Sequence, residues 1–362
     1  MNIRSILLLL CLVFSCDVFP ASKYAIPATD EGLPGAGPIR RYEWFQNLWD
    51  RKRSGWAKLV QQDQGALVFL GDSITQGWGD TMGGSFPGVK VANRGISGDT
   101  TRGVLIRLRE DVLSLNPSGV VLLIGTNDLE EKATPEVIAD NLKLIIAVLK
   151  KHSADMPIIL CNVMPSSAAK KRPADQIKKI NQLYFAAVKG DAQVTMLDTW
   201  LLFADDKGDA KKSEFPDLLH PNKTGYAKWA AALRPLLATH GFVETKPDNF
   251  QLEPGYVSLF NGHDLTGWGF RAKKTFKPTA TFDGKKASND ARYVAINGRL
   301  VVTTPPEGRR VQQLWTTREF LGTQKINLNI KFYNVKKIKW ESEKFSKKIG
   351  INFKCKKISS KK

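Results

Sequence analysis

The sequence predicts an α/β protein built on a five-stranded, doubly wound parallel sheet, followed by a smaller all-β region. Between residues 65 and 240, short apolar runs alternate with longer segments of helical spacing. This alternation is typical of parallel strands joined by helical crossovers. Beyond residue 254 the helical spacing gives way to short strand-like runs separated by Asn-Gly and Pro-Pro turns, which favours antiparallel hairpins.

The predicted elements follow one another in strict alternation after an opening helix. The strands are expected at residues 65–70, 89–92, 119–124, 156–163 and 193–197. The helices are expected at residues 41–62, 101–113, 134–152, 173–189 and 222–240. Thr100 is a suitable cap for the second helix, Thr134 and Pro135 favour the start of the third, and Gly241 favours the end of the last. In the all-β region, strands are expected at 256–260, 293–296, 300–303 and 312–315, with a hairpin turn at 297–298.

The composition is that of an ordinary globular chain with an uneven charge distribution. The 362 residues are 42% hydrophobic and 25% charged, and the formal net charge is +19. More than half of this excess lies in residues 322–362, which contain thirteen lysines, two glutamates and no arginine. Because the charge is concentrated in a tail, the main body is not predicted to bind nucleic acid.

The N-terminus is typical of an export signal. Arg4 precedes an apolar run of roughly nine residues, which is too short to span a bilayer. Residues 1–22 are therefore predicted to be a signal peptide, which places the mature chain outside the cell or in the periplasm, without a stable membrane span. Small residues precede Cys16, so cleavage before it and a lipid anchor on its side chain remain open alternatives.

The spacing of cysteine and histidine argues against a structural zinc site. The four cysteines form no Cys-x-x-Cys pair, and the four histidines are widely separated. Two of those histidines lie at predicted helix C-termini, where the helix dipole favours the protonated imidazole, and are interpreted as structural: His152 and His240. The aromatic residues of the first helix are expected to pack in the core: Trp44, Phe45, Trp49 and Trp56.

Four segments with chemistry-bearing residues stand at predicted strand ends or before the last helix. Ser73 follows the first strand, Gly98 the second and Asn127 the third, whereas Asp217 and His220 precede the final helix. In an open parallel sheet, the carboxyl ends of the strands border the ligand crevice. Alone, an Asp-Ser pair also fits an ordinary turn or helix cap. Three nearby carboxylates are expected to hold these loops together: Asp72, Asp99 and Asp128.

Together these residues match the requirements of acyl transfer. Ser73 can act as nucleophile if His220 accepts its proton. Asp217 can orient the imidazole, although a backbone carbonyl is an alternative partner. The Ser73 N–H, the Gly98 N–H and the Asn127 amide can donate to the oxyanion of the tetrahedral intermediate.

Four motifs of this chain resemble, in the same order, the four sequence blocks of the SGNH/GDSL hydrolases. They are Gly-Asp-Ser at 71–73, Gly98, Gly-Thr-Asn-Asp at 125–128 and Asp-x-x-His at 217–220. The resemblance covers about residues 40–240 and implies a three-layer, flavodoxin-like fold. It implies a Ser-His-Asp esterase without metal or cofactor, with the roles already given to these side chains and with Ser73, Gly98 and Asn127 as the oxyanion hole. Leu218 stands where many members have glycine, so we expect a narrower turn with both catalytic side chains still in place.

A second resemblance begins at residue 255. Residues 255–268, and shorter motifs as far as 317, are similar to the opening of the lectin-like β-sandwich domain associated with 3-keto-disaccharide hydrolysis. The predicted organisation is a hydrolase domain at 23–245, a linker at 246–254, a partial sandwich at 255–321 and a basic tail at 322–362. We attribute the tail to a frameshift, with a genuine solvated basic tail as the alternative.

The resulting prediction is a secreted serine esterase that acts on a small-molecule or polysaccharide ester, most simply an O-acetyl group on a carbohydrate. The carbohydrate is suggested only by the fused lectin-like domain. One alternative is a lysophospholipase or acetylhydrolase that acts on lipid esters. Another is a carbohydrate-binding surface module whose hydrolase half is incidental. The acyl group and the oligomeric state are left open by the sequence.

Overall fold

Five parallel strands form the central sheet, in the order β2-β1-β3-β4-β5. They are β1 Leu67–Gly71, β2 Val91–Gly95, β3 Gly119–Leu123, β4 Ile158–Cys161 and β5 Val194–Leu197. Gly71 at the end of β1 pairs in register with Gly95 of β2 and with Leu123 of β3. The carboxyl ends of these three strands therefore finish level with one another, which places the loops that follow them side by side.

The computed structural model describes residues 22–243, 258–272, 275, 277–289, 292–296, 298–302 and 313–317. The predicted signal peptide with Cys16, the linker at 246–254 and the basic tail at 322–362 lie outside these residues, apart from Ser22 at the end of the first segment. Within the described residues, none of the helices combines the length and the apolar character needed to cross a membrane.

Eight α-helices accompany the sheet in residues 22–243, and the five long ones confirm the predicted helices. They are α1 Glu43–Ala57, α2 Ser73–Gln76, α3 Thr101–Asp111, α4 Thr126–Glu130, α5 Pro135–His152, α6 Ala174–Val188, α7 Thr199–Phe203 and α8 Lys223–Thr239. The predicted caps form: the Thr100 hydroxyl accepts the Gly103 N–H at 3.2 Å, and Thr134 accepts that of Val137 at 3.4 Å. Each cap satisfies a backbone donor that has no partner within its helix.

The sheet lies between two helical layers, which confirms the three-layer α/β fold. Side chains alternate across β1, so Val68 and Leu70 pack into one apolar cluster and Leu67 and Phe69 into the other, as the pleat of a strand requires. The first cluster is completed by α3, α5 and α6, and the second by α8. With both faces covered, the strands are buried along their length, which explains their continuous apolar runs.

One prediction about a side chain in this region is wrong, and the reason given for a second one is wrong. Trp44 is 52% exposed instead of packing in the core with Phe45 and Trp49. Trp44 and Phe45 are neighbours on a helix and diverge by about 100°, so only one of them can face the cluster formed with Trp49, Trp56 and Ile96. His240 has the structural position that was predicted, 3.3 Å from the Thr195 hydroxyl. The predicted protonated state is wrong, because burial lowers the pKa of its imidazole to about 4.

The described C-terminal residues form antiparallel sheets, which confirms the predicted all-β character. The strands are β6 Trp268–Arg271, β7 Pro278–Thr281, β8 Tyr293–Ile296, β9 Arg299–Val302 and β10 Leu314–Thr316. They form a three-stranded sheet in the order β10-β6-β7 and a β8-β9 pair. The expected strand at 256–260 is absent from its described part, 258–260. The resemblance of this region to a 3-keto-disaccharide hydrolase domain stays a prediction.

Candidate active site

The candidate site lies at the point where the strand order of the sheet reverses. The chain passes from β1 outward to β2 and then returns across β1 to β3, which opens a crevice at the carboxyl ends of these strands. Loops after β1, β2 and β3 carry Ser73, Gly98 and Asn127 into one cavity of about 430 Å³, and His220 enters it from the segment before α8. Asp217 lies directly behind His220, so all five predicted residues come together.

Ser73 is presented at the first position of the short helix α2, immediately after β1. The carboxylate of Asp72 caps this helix by accepting the Ile74 N–H at 2.9 Å. The end of β2 packs closely against it, since a Cβ on Gly95 would lie 2.3 Å from the backbone nitrogen of Gln76. The turn that carries Ser73 is therefore held by a side-chain cap on one side and by close backbone packing on the other.

A hydrogen-bonded chain links the three predicted catalytic side chains. Ser73 Oγ lies 2.9 Å from His220 Nε2, and His220 Nδ1 lies 2.7 Å from Asp217 Oδ2. Partial burial acts to raise the pKa of Asp217. The backbone N–H and imidazole of His220 and the Leu219 N–H outweigh that effect and lower the pKa to about 2. The ionised carboxylate can hold the proton on Nδ1, which leaves Nε2 as an acceptor for the serine hydroxyl.

The turn between these two side chains contains a left-handed residue that is not glycine. Leu218 has φ +62°, a conformation that costs about 1–2 kcal/mol for a residue with a side chain. Its carbonyl oxygen accepts the Ser166 hydroxyl at 2.8 Å, which anchors the turn. Asp217 and His220 still meet, so the turn tolerates leucine at this position.

Asn127 is buried in the first turn of α4, with both ends of its amide engaged. Its Nδ2 donates to the Asp99 carbonyl at 2.9 Å, and its Oδ1 accepts from Arg172 Nη2 at 2.9 Å. Because an amide nitrogen carries two hydrogens, one donor remains for a ligand. Gly98 has φ +90°, and a Cβ there would lie 2.7 Å from the Trp44 ring, so only glycine fits beneath that ring.

Buried hydrogen bonds and one buried ion pair hold the loops in place, as expected for Asp72, Asp99 and Asp128. Arg107 donates to the Asp99 carboxylate at 2.7 Å and to the Gly71 carbonyl at 3.1 Å, so one side chain ties the loops after β1 and β2 together. Asp128 accepts the Thr101 N–H at 3.0 Å. Burial raises the pKa of Asp72 to about 7 and the pKa values of Asp99 and Asp128 to about 6.

The remaining wall of the cavity is largely charged and was not identified from the sequence. Its members come from the segment before and within α1, from α4 and from the loop after β4: Arg40, Trp44, Glu130, Lys170, Lys171 and Arg172. Glu130 binds both arginines, whereas Lys170 and Lys171 form no ion pair with the described residues. The run Lys170-Lys171-Arg172 after a predicted strand could have indicated a basic wall of the cavity. Nothing in the sequence indicated that Trp44 would line it.

No group of three or more metal-binding side chains (His, Cys, Asp or Glu) is found among the residues that the structure describes. Ser73, Gly98 and Asn127, the three residues predicted to form an oxyanion hole, all line the cavity.

Comparison with known proteins gives a consistent result. A family model described as the GDSL-like lipase/acylhydrolase family matches residues 69–228. The platelet-activating factor acetylhydrolase IB subunit alpha2 of Homo sapiens is 30% identical over 220 residues, which span 59% of this chain and 89% of that protein. The protein of the same name from Bos taurus matches equally well. A solved structure from Streptococcus pneumonia is 24% identical, with a TM-score of 0.50 over 54% of this chain and 94% of its own, and supports the fold.

The fold, the cavity at its switch point and these relatives define a hydrolase that acts on ester bonds. The chain belongs to the GDSL-like lipase/acylhydrolase family.

Proposed function

We propose that the chain is a serine esterase in which Ser73 is the nucleophile, His220 the general base and Asp217 the residue that orients the imidazole. The observation that carries this proposal is the hydrogen-bonded chain from Asp217 through His220 to Ser73, which ends in an open cavity. A structural serine would have no need of a histidine–carboxylate pair directed at its hydroxyl.

The reaction follows from the positions of these groups. Ser73 Oγ attacks the ester carbonyl carbon while its proton passes to His220 Nε2, and the charge forms on the carbonyl oxygen. The Ser73 and Gly98 N–H groups and the free Asn127 hydrogen donate to that oxygen. His220 then protonates the departing alcohol, which leaves an acyl-serine. Water repeats the sequence with the same base, releases the acid and restores Ser73.

We propose that the substrate is the ester of a short acyl group with a polar alcohol. The cavity of about 430 Å³ is bordered by Arg40, Glu130, Lys170 and Lys171, and a charged wall of this kind disfavours a long alkyl chain. The relatives are named as acetylhydrolases, which supports acetyl as the acyl group. The alcohol is proposed to be a carbohydrate, a suggestion that rests on the predicted lectin-like domain and on predicted export by the signal at residues 1–22.

A lipid ester is the second candidate. It is favoured by the 30% identity to platelet-activating factor acetylhydrolase subunits over most of their length. In this case the alcohol would be a phospholipid, and the acyl group would again be acetyl.

Hydrolysis of 4-nitrophenyl esters by the full chain tests the reaction and the acyl group. We expect activity on the acetyl ester that falls to background in Ser73→Ala, and a decline from acetyl to decanoyl esters. Retention of the wild-type rate by Ser73→Ala would end the proposal. Parallel assays with an acetylated oligosaccharide and with platelet-activating factor then distinguish a carbohydrate alcohol from a lipid alcohol. Only the ester of the true substrate class should be hydrolysed with high kcat/KM.

A further inference from the structure

Arg172 is a buried arginine whose guanidinium contacts the candidate oxyanion donor from behind. Its side chain is 3% exposed. Nη2 donates to Asn127 Oδ1 at 2.9 Å and to Glu130 at 2.8 Å, and Nε donates to the Thr126 carbonyl at 3.1 Å. Nη1 donates to the Lys170 carbonyl at 2.6 Å. The arginine therefore joins the loop after β4 to the helix that carries Asn127.

These contacts select one of the two orientations that the Asn127 amide could adopt. In the observed orientation, Oδ1 accepts from the guanidinium and Nδ2 donates to the Asp99 carbonyl. If the amide flipped, its NH₂ would face the guanidinium donors and its oxygen would face another carbonyl oxygen. Both contacts would be lost at a buried position, where unpaired polar groups cost about 1–3 kcal/mol each. Arg172 thereby keeps the second Nδ2 hydrogen available to the cavity.

The charge of the guanidinium adds to this geometric effect. A cation that binds the carbonyl oxygen of an amide draws electron density away from the nitrogen, which makes the N–H a stronger donor. Glu130 pairs with Arg172 and also with Arg40, so the buried cation is compensated. Arg172 can therefore polarise Asn127 without remaining an unpaired charge.

We propose that Arg172 is a positioning residue that acts through Asn127 to hold and polarise an oxyanion donor. The proposal rests on the proposed function, because it assumes that Asn127 binds the oxyanion. A purely structural arginine, which only ties the loop after β4 to α4, would affect catalysis whether or not Asn127 is present. This difference can be measured.

The test is a double-mutant cycle on the full chain, with kcat/KM for 4-nitrophenyl acetate as the readout. We expect Asn127→Ala to lower kcat/KM by about 10²–10³-fold, the usual effect of losing one oxyanion donor. Arg172→Lys should lower it by about 10-fold or more, mainly through kcat, because lysine lacks the planar fork that holds the amide. In the Asn127→Ala background, Arg172→Lys should cause less than about a twofold further loss, since its target is gone.

Arg102→Lys is the matched control. Arg102 is also a buried arginine, 6% exposed, but it holds the N-terminal arm through Asp30 and the Gly37 carbonyl. We expect this variant to retain kcat/KM within about twofold of wild type, which separates loss of a buried cation from loss of the Asn127 contact.

Equal losses from Arg172→Lys in both backgrounds would overturn the proposal, as would a wild-type kcat/KM for the single variant. Arg172→Gln provides a second variant, and the folding of each is checked by circular dichroism. If neither folds, Arg172 is assigned to the fold and the proposal is overturned. A failure of the serine mechanism is recognised separately, because Ser73→Ala would then remain active.

Discussion

Replacing Asp72 with asparagine should stabilise the protein more at pH 8 than at pH 5. Asp72 is fully buried, and its Oδ1 accepts the Ile74 N–H, whereas Oδ2 has no hydrogen-bond partner among the described residues. Burial raises the pKa of its carboxyl from 3.8 to about 7. The Ile74 N–H and Arg172 oppose this rise, and the nearby Asp99 and Asp128 add to it.

The sign and size of the effect follow from the two pKa values. Between pH 4 and 7 the folded chain retains a proton that the unfolded chain has released, so the carboxyl makes the folded state progressively less stable as pH rises through this window. At about 1.4 kcal/mol per pKa unit, the cost is roughly 1–2 kcal/mol at pH 5 and about 4 kcal/mol at pH 8. Asparagine can still accept the Ile74 N–H but does not titrate. The substitution should therefore increase the free energy of unfolding by about 2–3 kcal/mol more at pH 8 than at pH 5.

Urea unfolding followed by tryptophan fluorescence measures this difference. Wild type and Asp72→Asn are compared at pH 5 and pH 8, with Asp140→Asn as a control for the loss of one exposed carboxylate, since Asp140 is 68% exposed. The reasoning would be refuted if Asp72→Asn changed the free energy of unfolding equally at both pH values.

Two further predictions concern the site. Asp217→Asn should lower kcat by about 10³–10⁴-fold with little change in KM, because asparagine no longer fixes the imidazole tautomer. Since the pKa of Asp217 is about 2, its titration should not shape the wild-type rate profile between pH 5 and 8, and a kcat unchanged by the substitution would exclude the orienting role. The cavity should also prefer anionic esters, so wild type is expected to hydrolyse 4-acetoxybenzoate in preference to 4-acetoxybenzamide. The Lys170→Gln/Lys171→Gln variant should reduce that preference by about 3–10-fold, because it loses the Coulomb attraction between the two lysines and the anion. High salt should reduce it similarly in wild type, and a preference unaffected by the double substitution would contradict the role of the two lysines.

Local signals account for most of the fold that could be predicted. Thr134 and Pro135 defined the start of α5 because a cap and a first-turn proline act within a few residues. The apolar run in β3 was recognisable because both faces of that strand are covered. The short helices α2, α4 and α7 were missed, since four or five residues do not establish a helical period.

In the candidate site, too, contacts between residues close in sequence could be predicted and long-range contacts could not. Asp217 and His220 could be paired from the sequence because three residues of chain bring them together. The contact between Arg172 and Asn127 spans 45 positions and arises only when the loop after β4 folds against α4. Trp44 was assigned to the core because the aromatic spacing of α1 does not show which of two adjacent rings is buried.

Arg40 and Trp44 contribute to the cavity wall, yet both precede residue 69, where the family match begins. The proposed catalytic residues and part of the cavity wall thus belong to separate stretches of chain. Exchanging the segment that ends at Ala57 for that of a relative should therefore change the substrate preference and leave the proposed catalytic residues Ser73, Asp217 and His220 unchanged. Such a chimera must keep the residues that form ion pairs with the exchanged segment. These include Arg102, which binds Asp30, and Asp111, which binds Arg53.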